Sequence, residues 1–324
     1  MPSLPGDAPL PYPPDVRTST IALVLPLVLS SAVRAADPVP AAGIPDYVGP
    51  RSLALQASTG VASGNEGLYV NPGAIAARKR YEIDGGALFD RRGAQTVGQF
   101  FGGSIVDSES SPVTAGVSYL RVGKGPYDGN LVHFALAGPL TEGFYLGVLG
   151  KYLSLTGQTV GATPVLGAPG TPAAPVKLAN LTAVTADAGI LWQVAHLVSL
   201  GVAGYNLVPV GNKIAAPLGM GAGVAVGSDR SFQVTGDWRT DFDAPAGKNA
   251  NRWAAGAEAL LFDMVPVRAG WMTDGLLDTS WWSAGVGLVT PTGVALDVGY
   301  RQSIDDPKAR MIAATLKLFV NVGK

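Results

Sequence analysis

The sequence predicts an all-β fold: a transmembrane antiparallel β-barrel of about fourteen strands, with a short, partly helical N-terminal plug segment. Three observations predict it. Segments of about ten residues alternate apolar and polar side chains. The links between them alternate between short and long. Aromatic residues gather near segment ends.

Composition sets the frame. Charged residues are 15% of the 324-residue chain, against roughly 25% in ordinary soluble domains. Net charge is −1 without a basic block, which excludes an electrostatic footprint for nucleic acid. Cysteine is absent, so neither a disulfide framework nor a thiolate metal site is available.

The first element is a secretory signal, residues 1–35. An apolar run from Ile21 to Val33 follows Arg17, and Val33-Arg34-Ala35 places small residues where a signal peptidase reads. The run is shorter than the roughly 20 apolar residues of a membrane-spanning helix. Translation from Val16 would give a compact signal. Residues 36–80 then form the N-terminal plug segment: Pro-rich coil, a small-residue run GPRSLALQASTGVASG, and no strand alternation.

The barrel is expected over 81–324. Its segments run 81–90, 97–107, 112–122, 130–138, 142–156, 179–193, 196–207, 216–227, 231–241, 251–262, 264–273, 279–290, 292–303 and 310–323. In SFQVTGDWRTD, residues 231–241, Phe232, Val234 and Trp238 share one face, and Asp237 and Arg239 share the other. Successive side chains of a strand point to opposite faces, so one face meets lipid and the other a wet lumen. Val294, Leu296, Val298 and Tyr300 oppose Asp297 and Arg301 in the same way. A secreted all-β domain is the competing reading, but it has no reason to sort its links by parity. Links after even-numbered segments are short (PLTE, VAH, GSDR, PT); those after odd-numbered ones are longer, up to the apolar stretch 157–178. That is the pattern of periplasmic turns and outer loops. Tyr81, Phe89, Tyr119, Trp192, Trp238, Trp253, Trp271, Trp281, Trp282 and Tyr300 supply interfacial girdles. An even strand count permits closure, which leaves no edge unpaired in lipid. The chain ends LKLFVNVGK, so Phe319 stands nearest to a terminal aromatic.

The N-terminal segment carries NEGLYVNPGAIAARKRYEIDGG, and within it Asn71-Pro72-Gly73-Ala74-Ile75-Ala76. This resembles the Asn-Pro-Ala-Gly-Leu element of the FadL-like outer-membrane transport proteins and the related PorV group, with Ala and Gly exchanged and Ile for Leu. LGVAGYNLVPVG (200–211) and VPVRAGW (265–271) are also similar. The resemblance implies a fourteen-stranded barrel in the outer membrane of a Gram-negative type cell, its lumen occluded by the N-terminal segment. FadL-like members pass long-chain fatty acids or other hydrophobic solutes, often through a lateral opening. PorV-like members serve as partners in protein secretion or surface attachment. The expected partners are therefore outer-membrane lipid and a hydrophobic small molecule such as a fatty acid, with a secretion or surface protein as the alternative. Asn71 and Pro72 are the candidate transport and gating residues; Pro holds its predecessor extended and donates no backbone hydrogen bond.

No cofactor and no catalysis are expected. No carboxylate pair or His cluster has metal-ligand spacing. His133 shares the lumen register with Ser118 and Ser104, but nothing local marks a serine as activated; His196 falls in a turn. The lumen face also carries Asp84, Lys151, Asp187, Asp237, Arg239, Glu258, Arg268, Asp297, Arg301 and Lys317. Interspersed signs point to paired networks that stiffen the wall and hold the plug, where an ion-selective pore would show one dominant sign. Gly285 and Gly287 leave room for an apolar ligand or for the plug.

Overall fold

The computed structural model describes residues 49–160, 176–195, 197–213, 215–244 and 251–320. The expected signal 1–35, residues 36–48 of the plug segment, and His196 lie outside them.

Alternation over ten or more residues gives long strands, and these close on themselves. The strands are β1 (Tyr81–Arg92), β2 (Gln95–Asp107), β3 (Thr114–Gly123), β4 (Tyr127–Thr141), β5 (Phe144–Gly157), β6 (Thr159–Val160), β7 (Val176–Lys177), β8 (Leu181–Ala195), β9 (Val198–Tyr205), β10 (Gly219–Gly227), β11 (Phe232–Asp241), β12 (Asn251–Leu261), β13 (Val265–Asp274), β14 (Thr279–Val289), β15 (Val294–Ser303) and β16 (Ala309–Val320). All but β6 and β7 form one closed antiparallel barrel of fourteen strands, sealed where β1 pairs β16 from Tyr81–Val320 to Arg92–Ala309. Every barrel strand falls within three residues of the segment that alternation marks. The short β6–β7 ribbon, which alternation does not mark, forms the base of the long link after β5.

Burial alternates along the strands. On β15, Val294, Leu296 and Val298 are exposed while Ala295, Asp297 and Gly299 are buried. The exposed series continues through Val234, Val286, Leu288 and Leu316. In water such an apolar belt would be penalised; in a bilayer it is the stable arrangement, because closure satisfies every backbone group internally. Among the described residues no helix is long and apolar enough to cross a membrane; the strands cross it.

Three expectations are corrected. Trp281 is not part of a girdle: it is adjacent to Trp282, so the two point to opposite faces, and Trp281 is buried inside under Arg301 while Trp282 is exposed. Phe319 turns inward beneath the Arg80 guanidinium, 4.3 Å from it. Loop parity fails at the start: the β1–β2 hairpin turns at Gly93-Ala94, with Gly93 at φ +59°, while the β2–β3 link is longer.

Residues 49–80 contain α1 (Pro50–Leu55), α2 (Gly67–Val70) and a 3₁₀ turn over Pro72–Ala77. α1 packs on β12 to β16, and the 3₁₀ turn on β3, β4, β5 and β8. Leu53, Leu55, Leu68 and Ile75 are completely or almost completely buried.

Candidate functional site

The inner wall at mid-height is built from glycine. Gly147 faces Gly189 across β5 and β8, Gly201 faces Gly223 across β9 and β10, Gly256 faces Gly270 across β12 and β13, and Gly285 faces Gly299 across β14 and β15. The N-terminal segment lies against all four pairs, and a methyl carbon on any of the eight would come within 3.0 Å of it. The atoms met are mostly backbone: Pro50 O at Gly299, Ala54 O and Leu55 O at Gly270, Thr59 O at Gly201, Pro72 O at Gly147. Only glycine permits two backbones to approach this closely. The segment is thus inlaid in the wall along eight strands.

Side chains fasten it. Asn71 caps the 3₁₀ turn by accepting from Gly73 N at 3.0 Å, with Pro72 in the first helical position, where its missing N–H costs nothing. The Asn71 Nδ2 donates to Thr59 O and to Ile190 O on β8, both at 2.9 Å. Both residues are buried. On β11, the Asp237 carboxylate accepts from Ser58 N at 2.9 Å and Thr59 N at 2.8 Å.

On β12, β13, β15 and β16 an ion network forms a ring with the N-terminal segment. Arg51 binds both oxygens of Glu258, which also accepts from Arg268 and from Gln233 Nε2 at 2.7 Å. Arg268 reaches Asp297 at 2.6 Å, Lys317 lies 3.5 Å from Asp297, and Lys317 donates to Glu66 at 3.3 Å. Glu66 returns to the start by accepting from Arg51 N at 3.2 Å, and from Ser52 N at 2.8 Å and Ser52 Oγ at 2.5 Å. Burial alone would push the Glu66 carboxyl up, but Lys317, Ser52 and Arg51 together hold it below the ordinary range. Arg78 is pushed down to about 10 by burial and the nearby Arg51, with its partner Asp229 opposing. A cavity of about 170 Å³ adjoins the ring, lined also by Arg80 and Glu82.

All ten charges assigned to the lumen point inward, and each has a partner. Asp84 accepts from Ser104 Oγ at 2.5 Å, which links it through Asn65 to the N-terminal segment. Lys151 pairs with Asp187 at 2.6 Å. Arg239 stacks on Tyr205 at 4.1 Å and lies 3.7 Å from Asp241; Arg301 stacks on Trp281 at 4.8 Å and reaches Gln56 Oε1 at 3.4 Å. Sequence reasoning missed Arg51 and Glu66, whose partners lie 207 and 251 residues away. Gly285 receives Ala54 Cβ, the close approach anticipated for it, whereas Gly287 faces Asp297 and Pro266.

His133 stands opposite Ser118 on β3, with Lys151 opposite it on β5. The His133 Nδ1 and Ser118 Oγ atoms are buried without hydrogen-bond partners, and Tyr69 meets the imidazole edge-on at 5.6 Å. A nucleophile needs a base bonded to it and a third group orienting that base; this pair shows neither contact.

Toward the end of the barrel where β1 finishes, the inner wall changes character. Leu88, Phe100, Leu120, Leu131, Leu153 and Leu155, from β1 to β5, are buried in one apolar cluster. A water-filled porin lumen is polar; this one is greasy on one side.

A closed barrel with an apolar belt, an inlaid N-terminal segment and a partly apolar lumen is an outer-membrane-type β-barrel. Its fold is that of the FadL-like barrels. It is similar to the CymD monoaromatic hydrocarbon channel (TM-score 0.62, 12% identity, covering 87% of this chain and all of that one). A Pseudomonas aeruginosa FadL homologue matches with TM-score 0.58 at 12% identity, over 86% and 99% of the two chains. The Ralstonia pickettii toluene transporter TbuX matches with TM-score 0.57 at 14% identity, over 85% and 98%. No family model and no curated protein sequence matches the chain.

Proposed function

We propose that this protein carries hydrophobic solutes across the outer membrane, with outer-membrane lipid around it and a hydrophobic small molecule as its cargo. The observation that carries the reading is the apolar inner wall from Leu88 to Leu155 above an inlaid N-terminal segment. Such a wall solvates an alkyl or aromatic group and repels ions. The named structural neighbours, a monoaromatic hydrocarbon channel and a toluene transporter, support the same class of cargo. Residues 36–80 act as the plug, preceded by a signal over 1–35, and Asn71 and Pro72 hold the plug to the wall. A fourteen-stranded barrel is too wide for its own side chains to fill, so an unplugged one would leak.

The test is uptake of labelled oleate and labelled toluene by cells with and without this protein, at matched outer-membrane integrity. Uptake that depends on the protein supports the reading, and the preferred compound names the branch. Unchanged uptake of both, together with a stably co-purifying secretion or surface protein, replaces transport with the partner role.

A further inference from the structure

The outward faces of β1 and β16, which seal the barrel, are apolar along most of their length and cationic at one end. Phe89 stands opposite Ile312, and the next outward pair along the strands is Arg91 opposite Arg310. Like charges directly opposite each other destabilise a sheet. The turn between β1 and β2 meets only part of what this pair needs. Arg91 Nη2 donates to Ala94 O at 2.8 Å and Arg310 Nη2 donates to Gly93 O at 3.2 Å, so both guanidiniums converge on one turn. Each has more N–H donors than the turn takes up, and the Nε of each is buried without a partner.

The carboxylates of the surrounding elements are engaged elsewhere. Asp90 lies on the inner face of β1, opposite the buried Met311. Asp306 accepts from Arg92 at 3.2 Å; Asp305 accepts from Thr279 Oγ1 at 3.0 Å and Ser280 N at 2.7 Å. The residues opposite the two arginines on the flanking strands are neutral, Thr96 on β2 and Gln302 on β15. Lys308 adds a third, exposed cation, and its carbonyl accepts from Gly93 N at 2.9 Å, which holds it beside the same turn. Among the described residues, neither Arg91 nor Arg310 meets a carboxylate.

Height decides what can arrive there. Tyr81 begins the outward row of β1 and Arg91 ends it. At about 3.3 Å per residue and a tilt of about 40°, that span rises about 25 Å, the height of a barrel's apolar band. With Tyr81 at one boundary of the band, Arg91 stands at the other. This is the end from which the long link after β5 leaves, the outer side. Below the arginines, Phe89 meets Phe101 edge-on at 5.5 Å, and Ala87 stands opposite Ala314. A ligand seated here has an anionic head at the arginines and apolar chains beneath it.

We propose that Arg91 and Arg310, with Lys308, form a binding site for the phosphate of an outer-leaflet glycolipid, whose acyl chains lie along Phe89 and Ile312. Phosphate oxygens match the planar fork of a guanidinium, and the negative charge removes the repulsion between the two arginines. Free phosphate shares that head chemistry but gains nothing from the apolar surface below. The site depends on the membrane around the barrel and not on its cargo, so loss of the transport reading leaves it standing.

The test offers bisphosphorylated lipid A, and the same lipid with its phosphates removed, to the purified barrel in detergent micelles. Retained lipid is measured by native mass spectrometry. The wild type is expected to hold the phosphorylated form roughly tenfold more tightly than the dephosphorylated one. Arg91→Gln with Arg310→Gln should abolish that preference. Arg91→Lys with Arg310→Lys should keep only part of it, because an ammonium binds phosphate as a point charge. Heat-modifiable gel mobility confirms that the variants are folded. Equal retention of the two lipids by the wild type would overturn the proposal without recourse to any variant, as would a preference that survives in the Gln variant. Displacement of the lipid by inorganic phosphate would show a site for a free anion and overturn the lipid assignment.

Discussion

The Arg51 guanidinium of the N-terminal segment and the Glu258 carboxylate of β12 bind in bidentate fashion, Nε to Oε2 at 2.9 Å and Nη2 to Oε1 at 2.7 Å. Glu258 is buried, Arg51 is largely so, and the same carboxylate serves Arg268. Glu258→Gln therefore leaves the Arg51 guanidinium without a carboxylate, while Arg268 keeps Asp297, at a cost of about 3–5 kcal/mol. Replacing Arg51 and Glu258 together by Met should cost less than the sum of the single changes, because neither then leaves the other unpaired. Urea unfolding of the detergent-solubilised barrel, run as a double-mutant cycle, measures both. Additive losses would show that the pair contributes nothing to seating the segment.

The glycine inlay predicts a sharp contrast between two positions. Gly201→Val drives a side chain into Thr59 O, which is backbone and cannot swing aside. Overpacking of this kind costs about 1–3 kcal/mol, and here it unseats the segment. Gly150, on the outward face of β5, has only Phe134 O at 4.0 Å, so Gly150→Val should be tolerated. Trypsin checks this: cleavage at Arg51, Arg78 or Arg80 should rise in the Gly201 variant and stay at the wild-type level in the Gly150 variant.

Glu66 makes the seating dependent on pH in one direction only. Its carboxyl is held below the ordinary carboxylate range, so the stability it adds is fully present above the unfolded value of about 4.3. That stability is lost as pH falls through the folded value. From neutrality down to about pH 5 the melting temperature should not respond to this group. Below about pH 4 it should fall, and the fall should be smaller in Glu66→Gln, which is weakened already at neutral pH. Thermal melts of both proteins across that range decide it; parallel curves would show that Glu66 does not couple to seating.

Strand positions were legible because two media act on alternate residues. A strand between lipid and a polar lumen writes its period directly into the chain, and Val294 to Ser303 reads correctly from either face. Trp281 was misassigned because aromatic residues were grouped by position along the strand, when parity already separated it from Trp282. The glycine pairs were visible as residues but not as pairs, since Gly201 and Gly223 meet only once register is known. The ring through Arg51, Glu258, Arg268, Asp297, Lys317 and Glu66 was half legible: its wall members alternate, whereas the N-terminal segment has no period to show which way Arg51 and Glu66 point. Asn206 bonds Asp187 on β8 and Lys151 on β5, contacts that appear only once the order of the strands is known.

The medium outside the barrel is testable at one residue. Val298 sits near the middle of β15 on the outward face, more than one-third exposed, with Val286 beside it. In water, Val298→Arg would extend an exposed cation into solvent and change stability little. In a bilayer the same charge lies near the midplane and costs about 2–4 kcal/mol. Thr235 on β11 gives the converse. Its hydroxyl is buried on the inner face without a partner, so Thr235→Val should be neutral or mildly stabilising, because removing an unsatisfied polar group removes its desolvation cost. Refolding both variants into lipid vesicles, with urea titration, measures the two effects under one condition. A harmful Val298→Arg beside a harmless Thr235→Val requires lipid outside and a packed interior within. A tolerated arginine at Val298 would place water against the belt and overturn the membrane-spanning reading.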